Sequence, residues 1–435
     1  MKTLSKILVS VVLLGLFQCQ ISPHPSKWSD QKVGEWFVSS QYLNGLQLLP
    51  DPSIDRRSFA EHYYEHRETW EKAFTFLKNT DFTHVESGRK ELGGSMKICK
   101  VVVKVPVEND KDHARALVTR DFILGDNSPF KECHASSLIR LNDENFLTVW
   151  FGGTKEKNPD VGIWLSKGKP GKWSAPKQVA KIRNDAHWNP VLFSDEKGTV
   201  YLYFKVGKEI PTWETWVTVS KDGGASWSEP VELVQGDKGG RGPVRNKPVI
   251  LSNGSWIAGA SHEDGPWDVF VDRSEDNGKT WLATPHLTLD RSQFNGKGVI
   301  QPTLWESTPG KVHMLVRSTN GKIYRSDSED FGKTWYTLYA TDMPNNNSGI
   351  DMVKLSDGRL VLAYNPVSGN WASRASLNIA ISYDNGLTWP KNIVLEKDAD
   401  EKAEYSYPAI ITYDKRVALT YTWKRQRIVF WELEL

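Results

Sequence analysis

The chain has 435 residues, 39% hydrophobic content, 19 tryptophans and a formal net charge of +2. That length can bury a large core, and so many tryptophans suit numerous small packed interfaces. A charge so close to neutral gives no field to attract nucleic acid, which excludes that class of partner as the leading expectation.

The N-terminus reads Met-Lys-Thr-Leu-Ser-Lys and then runs from Ile7 to Phe17 with little polarity. This apolar core is too short for an ordinary membrane span, so residues 1–19 are expected to be a signal peptide. Cys19 follows Leu-Gly-Leu-Phe-Gln, a relaxed form of a bacterial lipoprotein cleavage site. Export to the periplasm, attachment to the outer membrane by a lipid anchor, or plain secretion all follow from such a start. No other stretch is apolar enough to cross a bilayer. Cys99 and Cys133 remain, and they form either a bridge or two buried thiols. No Cys-x-x-Cys spacing points to zinc.

Residues 20–114 are expected to form a small mixed α/β appendage. Asp55 caps a helix over about residues 56–79, with Phe59, Tyr63, His66, Trp70, Phe74 and Leu77 on one face. His62 and His66 stand one turn apart on that helix, a spacing that serves a metal site or a wet-edged packing face. Residues 97–107 alternate like a strand, and Asp110 to Ala114 reads as a linker.

From residue 115 to 435 one pattern sets the architecture. Ser220–Trp227, Ser274–Trp281, Ser328–Trp335 and Ser382–Trp389 each have the form Ser-x-Asp-x-Gly-x-Thr/Ser-Trp, and successive serines are 54 residues apart. One further step back reaches Ser166 and Trp173, a copy without its aspartate. A constant period of this size means radially repeated units. Alternating valines precede the boxes, and each box is turn chemistry: the Asp bonds backbone ahead of it, the Gly tolerates positive φ, and the Trp anchors the turn. The expected fold is all-β, a six-bladed β-propeller. Its inner strands begin near His134, Asn189, Asn246, Gln301, Asp351 and Tyr407, four of them with Pro close by. The stretch Leu117 to Leu124 supplies the outer strand missing from the last unit and closes the ring; a seventh blade would need help from residues 20–110.

This topology gathers two sets of positions at one mouth of the tunnel. Inner-strand starts offer His134, His187, Asn189, Arg245, Asn246, Gln301, Asp351, Tyr405 and Tyr407. The ends of the antiparallel second strands offer Lys205, His262, Glu263, Arg317, Tyr364, Asn365, Trp423 and Arg425. Gly152 and Gly153 leave room beside them, and Asp160 enters the third strand as a structural residue. Arginines and a lysine beside aromatic rings suit a carboxylate-bearing sugar, because paired guanidinium donors match a carboxylate. Phosphate or sulfate esters fit the same chemistry. For two-carboxyl hydrolysis, Glu263 and Asp351 are the available pair.

The spaced boxes resemble the Asp-box, or BNR, repeats of sialidase-like propellers. Phe151-Gly-Gly-Thr-Lys-Glu, Asn158-Pro-Asp-Val-Gly-Ile-Trp, His187-Trp-Asn-Pro-Val-Leu, Asn246-Lys-Pro and Glu404-Tyr-Ser-Tyr-Pro are similar to a bacterial neuraminidase-like branch, over about residues 115–435. That resemblance implies an exo-sialidase, holding the substrate carboxylate with three arginines and using a Tyr–Glu pair as nucleophile and an Asp as acid/base. Arg245, Arg317 and Arg425 would be the triad, with Tyr405 or Tyr407 beside Glu263. The family's Phe-Arg-Ile-Pro motif is replaced here by Glu132-Cys-His134. The branch also looks like propeller lyases that cleave L-rhamnose-α-1,4-D-glucuronate ends. There, Arg245 and Arg317 would neutralise the uronate, His134 or His187 would take the C5 proton, and Tyr407 would protonate the leaving oxygen. Lys205, Asn189, Asn246, Gln301, Asn365, Tyr405 and Trp423 would bind the rest of an acidic oligosaccharide. Neither chemistry requires a cofactor or a metal, although a divalent cation would be compatible with both. β-Elimination is the leading expectation, a sialidase or other glycosidase the alternative, and a glycan-binding propeller without turnover the third. Residues 70–95 resemble the opening of the small bacterial YhcH/YjgK-type sugar-metabolism domain, a resemblance of roughly 40 residues that carries no activity with it.

Overall fold

The computed structural model describes residues 117–125 and 128–435, together with a two-residue strand pair, Tyr42–Leu43 with Leu46–Gln47. The expected helix over 56–79, the strand over 97–107, Cys19, Cys99 and the segment like YhcH/YjgK lie outside the described residues. Cys133 is buried with a free thiol.

Six antiparallel sheets make the propeller. Blade one runs Glu132–Arg140, Phe146–Gly153, Gly162–Lys169 and Lys172–Trp173, with Lys177–Ala180 also paired to its third strand. Blade two is His187–Ser194, Val200–Val206, Glu214–Ser220 and Val231–Glu232, and blade three is Val249–Ile250, Trp256–Glu263, Trp267–Ser274 and Leu282–Ala283. Blade four is Val299–Thr308, Lys311–Ser318, Lys322–Ser328 and Tyr339–Pro344, and blade five is Asp351–Lys354, Leu360–Tyr364, Ser376–Ser382 and Lys391–Lys397. Blade six is Tyr405–Tyr413, Arg416–Trp423 and Arg427–Glu434, completed by Leu117–Phe122.

That last pairing closes the ring with the register Val429 to Phe122 and Phe430 to Asp121. A closed ring leaves no unpaired sheet edge between first and last blade. The inner strand of blade three is shorter than the sequence suggests, with only Val249–Ile250 paired. Pro248 has no N–H to donate, and the side chains of Asn246 and Lys247 are engaged by blades four and five.

The Asp boxes are outer turns. In blade three, Asp276 accepts from Ser274 Oγ at 2.8 Å, from the Thr280 N–H at 2.9 Å and from Thr280 Oγ1 at 2.7 Å. Trp281 Nε1 donates to Gly278 O at 3.1 Å, and Gly278 has φ +80°, which a side chain would strain. The degenerate copy in blade one shows how the missing aspartate is replaced. Asp121, on the closing strand, accepts from the Gly171 N–H at 2.6 Å and from Trp173 Nε1 at 2.8 Å. Neighbouring blades are then fastened at their boxes: Arg325 of blade four donates to Asn385 O of the next box at 2.7 Å, and Trp305 Nε1 donates to its side chain at 2.7 Å.

At the mouth, four inner strands share a device the sequence did not announce. Their pairing registers slip between His134 and Ser137, Trp188 and Val191, Ile300 and Thr303, and Ser406 and Ala409. Within each slip sits one left-handed residue: Ala135 (φ +56°), Asn189 (+40°), Gln301 (+58°) and Tyr407 (+54°). These are β-bulges repeated at one height, each re-aiming a side chain. A non-glycine residue in this region costs about 1–3 kcal/mol, so surrounding contacts must hold it there.

Because Asp121 stands in for the lost box aspartate, Asp121→Ala is expected to lower stability by roughly 1–2 kcal/mol. Urea unfolding should show a midpoint shift comparable to that of Asp276→Ala; an unchanged midpoint would remove the substitution account.

Candidate active site

The site is built around Tyr407. Its bulge turns the ring into the mouth, where the guanidinium carbons of Arg245, Arg374 and Arg317 lie 5.3, 5.6 and 5.7 Å from the ring centroid. Arg317 Nη1 donates to the Tyr407 hydroxyl at 2.7 Å. The His134 ring packs at 4.2 Å between centroids, tilted by 50°. On another side the backbone of Gly349 approaches so closely that an added Cβ would sit 3.4 Å from the tyrosine ring.

Each arginine is held differently. Arg317 is buried, with Nε on Asn347 Oδ1 at 3.0 Å and Nη1 also on Gln301 Oε1 at 3.1 Å. Trp267 and Trp371 flank its guanidinium, each at 5.9 Å. Arg245 reaches from blade three to blade six, donating Nη2 to the carbonyls of Tyr407 and Pro408 at 2.5 and 3.1 Å. Its Nε and Nη1 have no protein partner, and burial lowers its pKa to about 10, still protonated at neutral pH. Arg374 donates Nη1 to Glu404 Oε1 at 2.8 Å. Arg425 is taken up by acids, with Nε on Glu404 Oε2 at 2.8 Å and Nη1 on Glu156 Oε2 at 2.5 Å. Burial disfavours its charge, but Glu404 and Glu156 outweigh that and raise its pKa. The arginine trio around Tyr407 is therefore Arg245, Arg317 and Arg374, and the expected third member, Arg425, stands behind it.

Two titratable groups at the mouth lack partners. His134 Nδ1 is buried without a hydrogen bond. Burial, reinforced by Arg425, Arg374, Arg245 and Arg317, holds its pKa well below the usual histidine value, so the ring is neutral. Glu263 makes no hydrogen bond to the described residues. Burial raises its pKa, against the pull of Arg317, Lys297 and Lys205.

Several expected site residues are committed elsewhere. His187 accepts from the Ile182 N–H at Nε2 (2.8 Å), and its Nδ1 lies 2.9 Å from Asp185 O. Burial lowers its pKa to about 4, and it has no ring nitrogen left for a substrate. Lys205 is fully buried, donating to Thr215 Oγ1 at 2.6 Å and Arg241 O at 2.8 Å, and burial lowers its pKa to about 7. Asp351 is a hub. It accepts from Lys247 Nζ at 2.9 and 3.0 Å, Thr303 Oγ1 at 2.9 Å, the Met352 N–H at 2.9 Å and the Ile410 N–H at 2.9 Å. Those contacts join blades three to six and occupy both oxygens, which corrects the expectation of Asp351 as the partner acid of Glu263. Asn189, Asn246 and Asn365 use their amides to hold the carbonyls of Val244, of Gln301 and Pro302, and of Ser376 and Tyr405. Tyr405 bonds Asp398 at 2.8 Å, Tyr364 bonds Asn392 at 3.0 Å, and Trp423 packs edge-on against Phe122. His262 turns to His286, with their ring nitrogens 2.8 Å apart. Asp160 accepts from the Thr154 N–H and hydroxyl at 2.7 and 2.6 Å. Among the described residues no group of three or more His, Cys, Asp or Glu side chains is placed to hold a metal ion.

Sequence reasoning missed Arg374, Glu404 as its holder, and the buried run Asn345 to Ser348. Arg374 lies in the connection before the third strand of blade five, outside the inner-strand and return positions that the periodicity selects. The triple asparagine was the visible signal for the other element.

Glu404 lies between two guanidinia. Burial works against its charge, but Arg425, Arg374 and a 2.6 Å bond from Ser406 bring its pKa down to about 2. Its ordinary value is about 4.3. The contribution is thus present above roughly pH 4.3 and lost as pH falls toward 2. Urea unfolding of Glu404→Gln across this range should show a stability deficit that is constant above about pH 5 and shrinks toward pH 2. A deficit independent of pH would contradict the ion-pair account.

The BNR repeat-like domain family matches residues 144–419. The sialidase of Paraclostridium sordellii is 28% identical over 153 residues, covering 32% of this chain and 36% of that protein. The sialidase of Clostridium perfringens is 29% identical over 155 residues, covering 32% and 38%. The matched stretch is thus little more than a third of the length of these curated relatives. Among crystal structures, a Dyadobacter fermentans protein of unknown function superposes with TM-score 0.60 at 18% identity, covering 73% of this chain and 98% of the other. The leech intramolecular trans-sialidase gives 0.58 at 12% identity, covering 77% and 74%. These structural likenesses share the propeller fold. With the family match extending over more than half of its length, the chain belongs to the BNR repeat-like family.

Proposed function

We propose that the protein is an exported glycan-active enzyme that removes a terminal acidic sugar, by sialidase-type chemistry at Tyr407. The observation that carries this reading is the encirclement of one tyrosine by three guanidinia, one of them bonded to its hydroxyl at 2.7 Å. Arg317 fixes the Tyr407 oxygen, and the neighbouring imidazole of His134, with its unpartnered Nδ1, would take the hydroxyl proton as that oxygen attacks the anomeric carbon and the bond to the leaving oxygen breaks. The unpartnered Nε and Nη1 of Arg245, together with Arg317 and Arg374, offer donors for the sugar carboxylate. Glu263, whose pKa is raised by burial and whose carboxyl makes no hydrogen bond among the described residues, is the group suited to give the leaving oxygen its proton and later to take one from water. The likeness to the two clostridial sialidases supports the same chemistry. Arg425, Lys205, His187 and Asp351 have structural roles in this reading.

A second reading rests on His134. A neutral imidazole with a free Nδ1, in van der Waals reach of Tyr407 and among arginines, suits removal of the C5 proton of a uronate. Arg245, Arg317 and Arg374 would spread the developing charge, and Tyr407 would protonate O4 of the departing rhamnose. Hydrolysis is preferred because elimination gives Glu263 no task.

The purified protein is to be incubated in parallel with a sialoside and a rhamnose-capped glucuronide, reading released sugar and near-ultraviolet absorbance. Free sialic acid without an absorbance rise is the expected result. Rhamnose release matched by rising absorbance would establish elimination, and no release from either would leave a binding propeller. Tyr407→Phe should reduce kcat at least about 100-fold, whereas His187→Gln should leave the kcat of folded protein within a few-fold.

A further inference from the structure

The connection from blade four to blade five contains Asn345, Asn346, Asn347 and Ser348, all fully buried. Four buried polar side chains in succession are costly, the more so because Asn346 Oδ1 and Ser348 Oγ have no hydrogen-bond partner among the described residues. Asn345 folds the turn: its Oδ1 accepts from the Asn347 N–H and the Ser318 N–H, both at 3.1 Å, and its Nδ2 donates to Ser348 O at 3.2 Å. Asn347 is thereby held left-handed, at φ +59°.

That conformation aims one residue at two arginines. Asn347 Oδ1 accepts from Arg317 Nε at 3.0 Å, and its backbone oxygen accepts from Arg374 Nη2 at 3.4 Å. The amide has one useful orientation, because Nδ2 donates to Asn370 Oδ1 at 2.9 Å and leaves the oxygen facing Arg317. Two residues on, Gly349 abuts the Tyr407 ring. One buried turn therefore touches two of the three guanidinia and the tyrosine they surround.

We propose that Asn347 is a positioning residue that sets the spacing and angle of Arg317 and Arg374, and so fixes the seat for the substrate carboxylate. This rests on the reading of the mouth as an acidic-sugar site. Asparagine suits the position on two counts. It tolerates the left-handed region better than most residues. It also offers Arg317 a neutral acceptor, so the Asn347 side chain does not neutralise that guanidinium before substrate arrives. An aspartate of the same shape would present a resident carboxylate to Arg317 and compete with that of the sugar.

Three variants test this on the full chain with whichever of the two substrates is turned over: Asn347→Asp, Asn370→Ala and Arg317→Lys. Asn370 is exposed, so its loss frees the Asn347 amide without threatening the fold. Asn347→Asp is expected to raise KM roughly 10- to 100-fold while kcat falls much less, with Asn370→Ala shifting KM in the same direction by less. Binding of the matching free acid sugar, by calorimetry, should weaken in parallel, whereas its carboxamide analogue should bind wild type and Asn347→Asp alike. Equal losses for acid and carboxamide, or a fall in kcat at unchanged KM, would overturn the positioning role. Arg317→Lys separates the two layers: if it weakens the acid and Asn347→Asp does not, the inference fails alone. If Arg317→Lys changes nothing, the acidic-sugar reading fails and takes the inference with it. Should Asn347→Asp not fold, the KM shift of Asn370→Ala decides, and its absence counts against the proposal.

Discussion

Arg245 bonds the carbonyls of Tyr407 and Pro408 from the opposite side of the ring, and the mouth depends on that contact. A tyrosine at φ +54° is under local strain, and the residue after it is a proline, which removes one ladder hydrogen bond. The freed carbonyls need donors, and a buried guanidinium supplies them from a blade that is otherwise remote. The same solution recurs at lower cost in blade four, where Asn246 holds the carbonyls of Gln301 and Pro302. Strain at the inner-strand starts is thus balanced by polar side chains of other blades, and it turns Gln301 and Tyr407 toward Arg317.

Electrostatics then divides the charged residues by depth. On the tunnel side, Asp351 and Lys247 neutralise each other and tie four blades together. At the rim, Glu156, Arg425, Glu404 and Arg374 form an alternating chain whose charges nearly cancel. Between them lie Arg245 and Arg317, which have neutral hydrogen-bond partners. Their positive charge suits an anion, and it adds to the burial that, with Arg425 and Arg374, keeps His134 neutral. A buried charge without a counter-ion is expensive, and its placement around a single tyrosine is the reason for reading the mouth as an acidic-sugar site.

The propeller was legible because its determinants are local and repeated. Each Trp box closes one turn with its own Ser, Asp and Gly, so the period appears in the sequence. Closure by Leu117–Phe122 could be inferred from a strand left over at one end and a place left open at the other. The mouth was legible as a set of positions but not as a set of roles. His187 and Lys205 fall on the right strand ends, yet Asp185 and Arg241 carbonyls in adjoining loops take their polar atoms. Asp351 is at an inner-strand start, but its partners come from three other blades, and no spacing encodes that. Arg374 was missed because it sits in a connection, where periodicity says nothing about direction. Asp121 is the reverse case: the box of blade one looks incomplete until the closing strand is in place.

The most direct test of the central claim is the mass of the intact protein, and of its peptides, after incubation with a fluorinated acidic sugar that forms a glycosyl-enzyme but releases it slowly. Nucleophilic catalysis at Tyr407 predicts an adduct of one sugar on the peptide containing Tyr407, absent from Tyr407→Phe. Turnover of the natural substrate without any such adduct, accompanied by an unsaturated product, would contradict it and make His134 the reacting group.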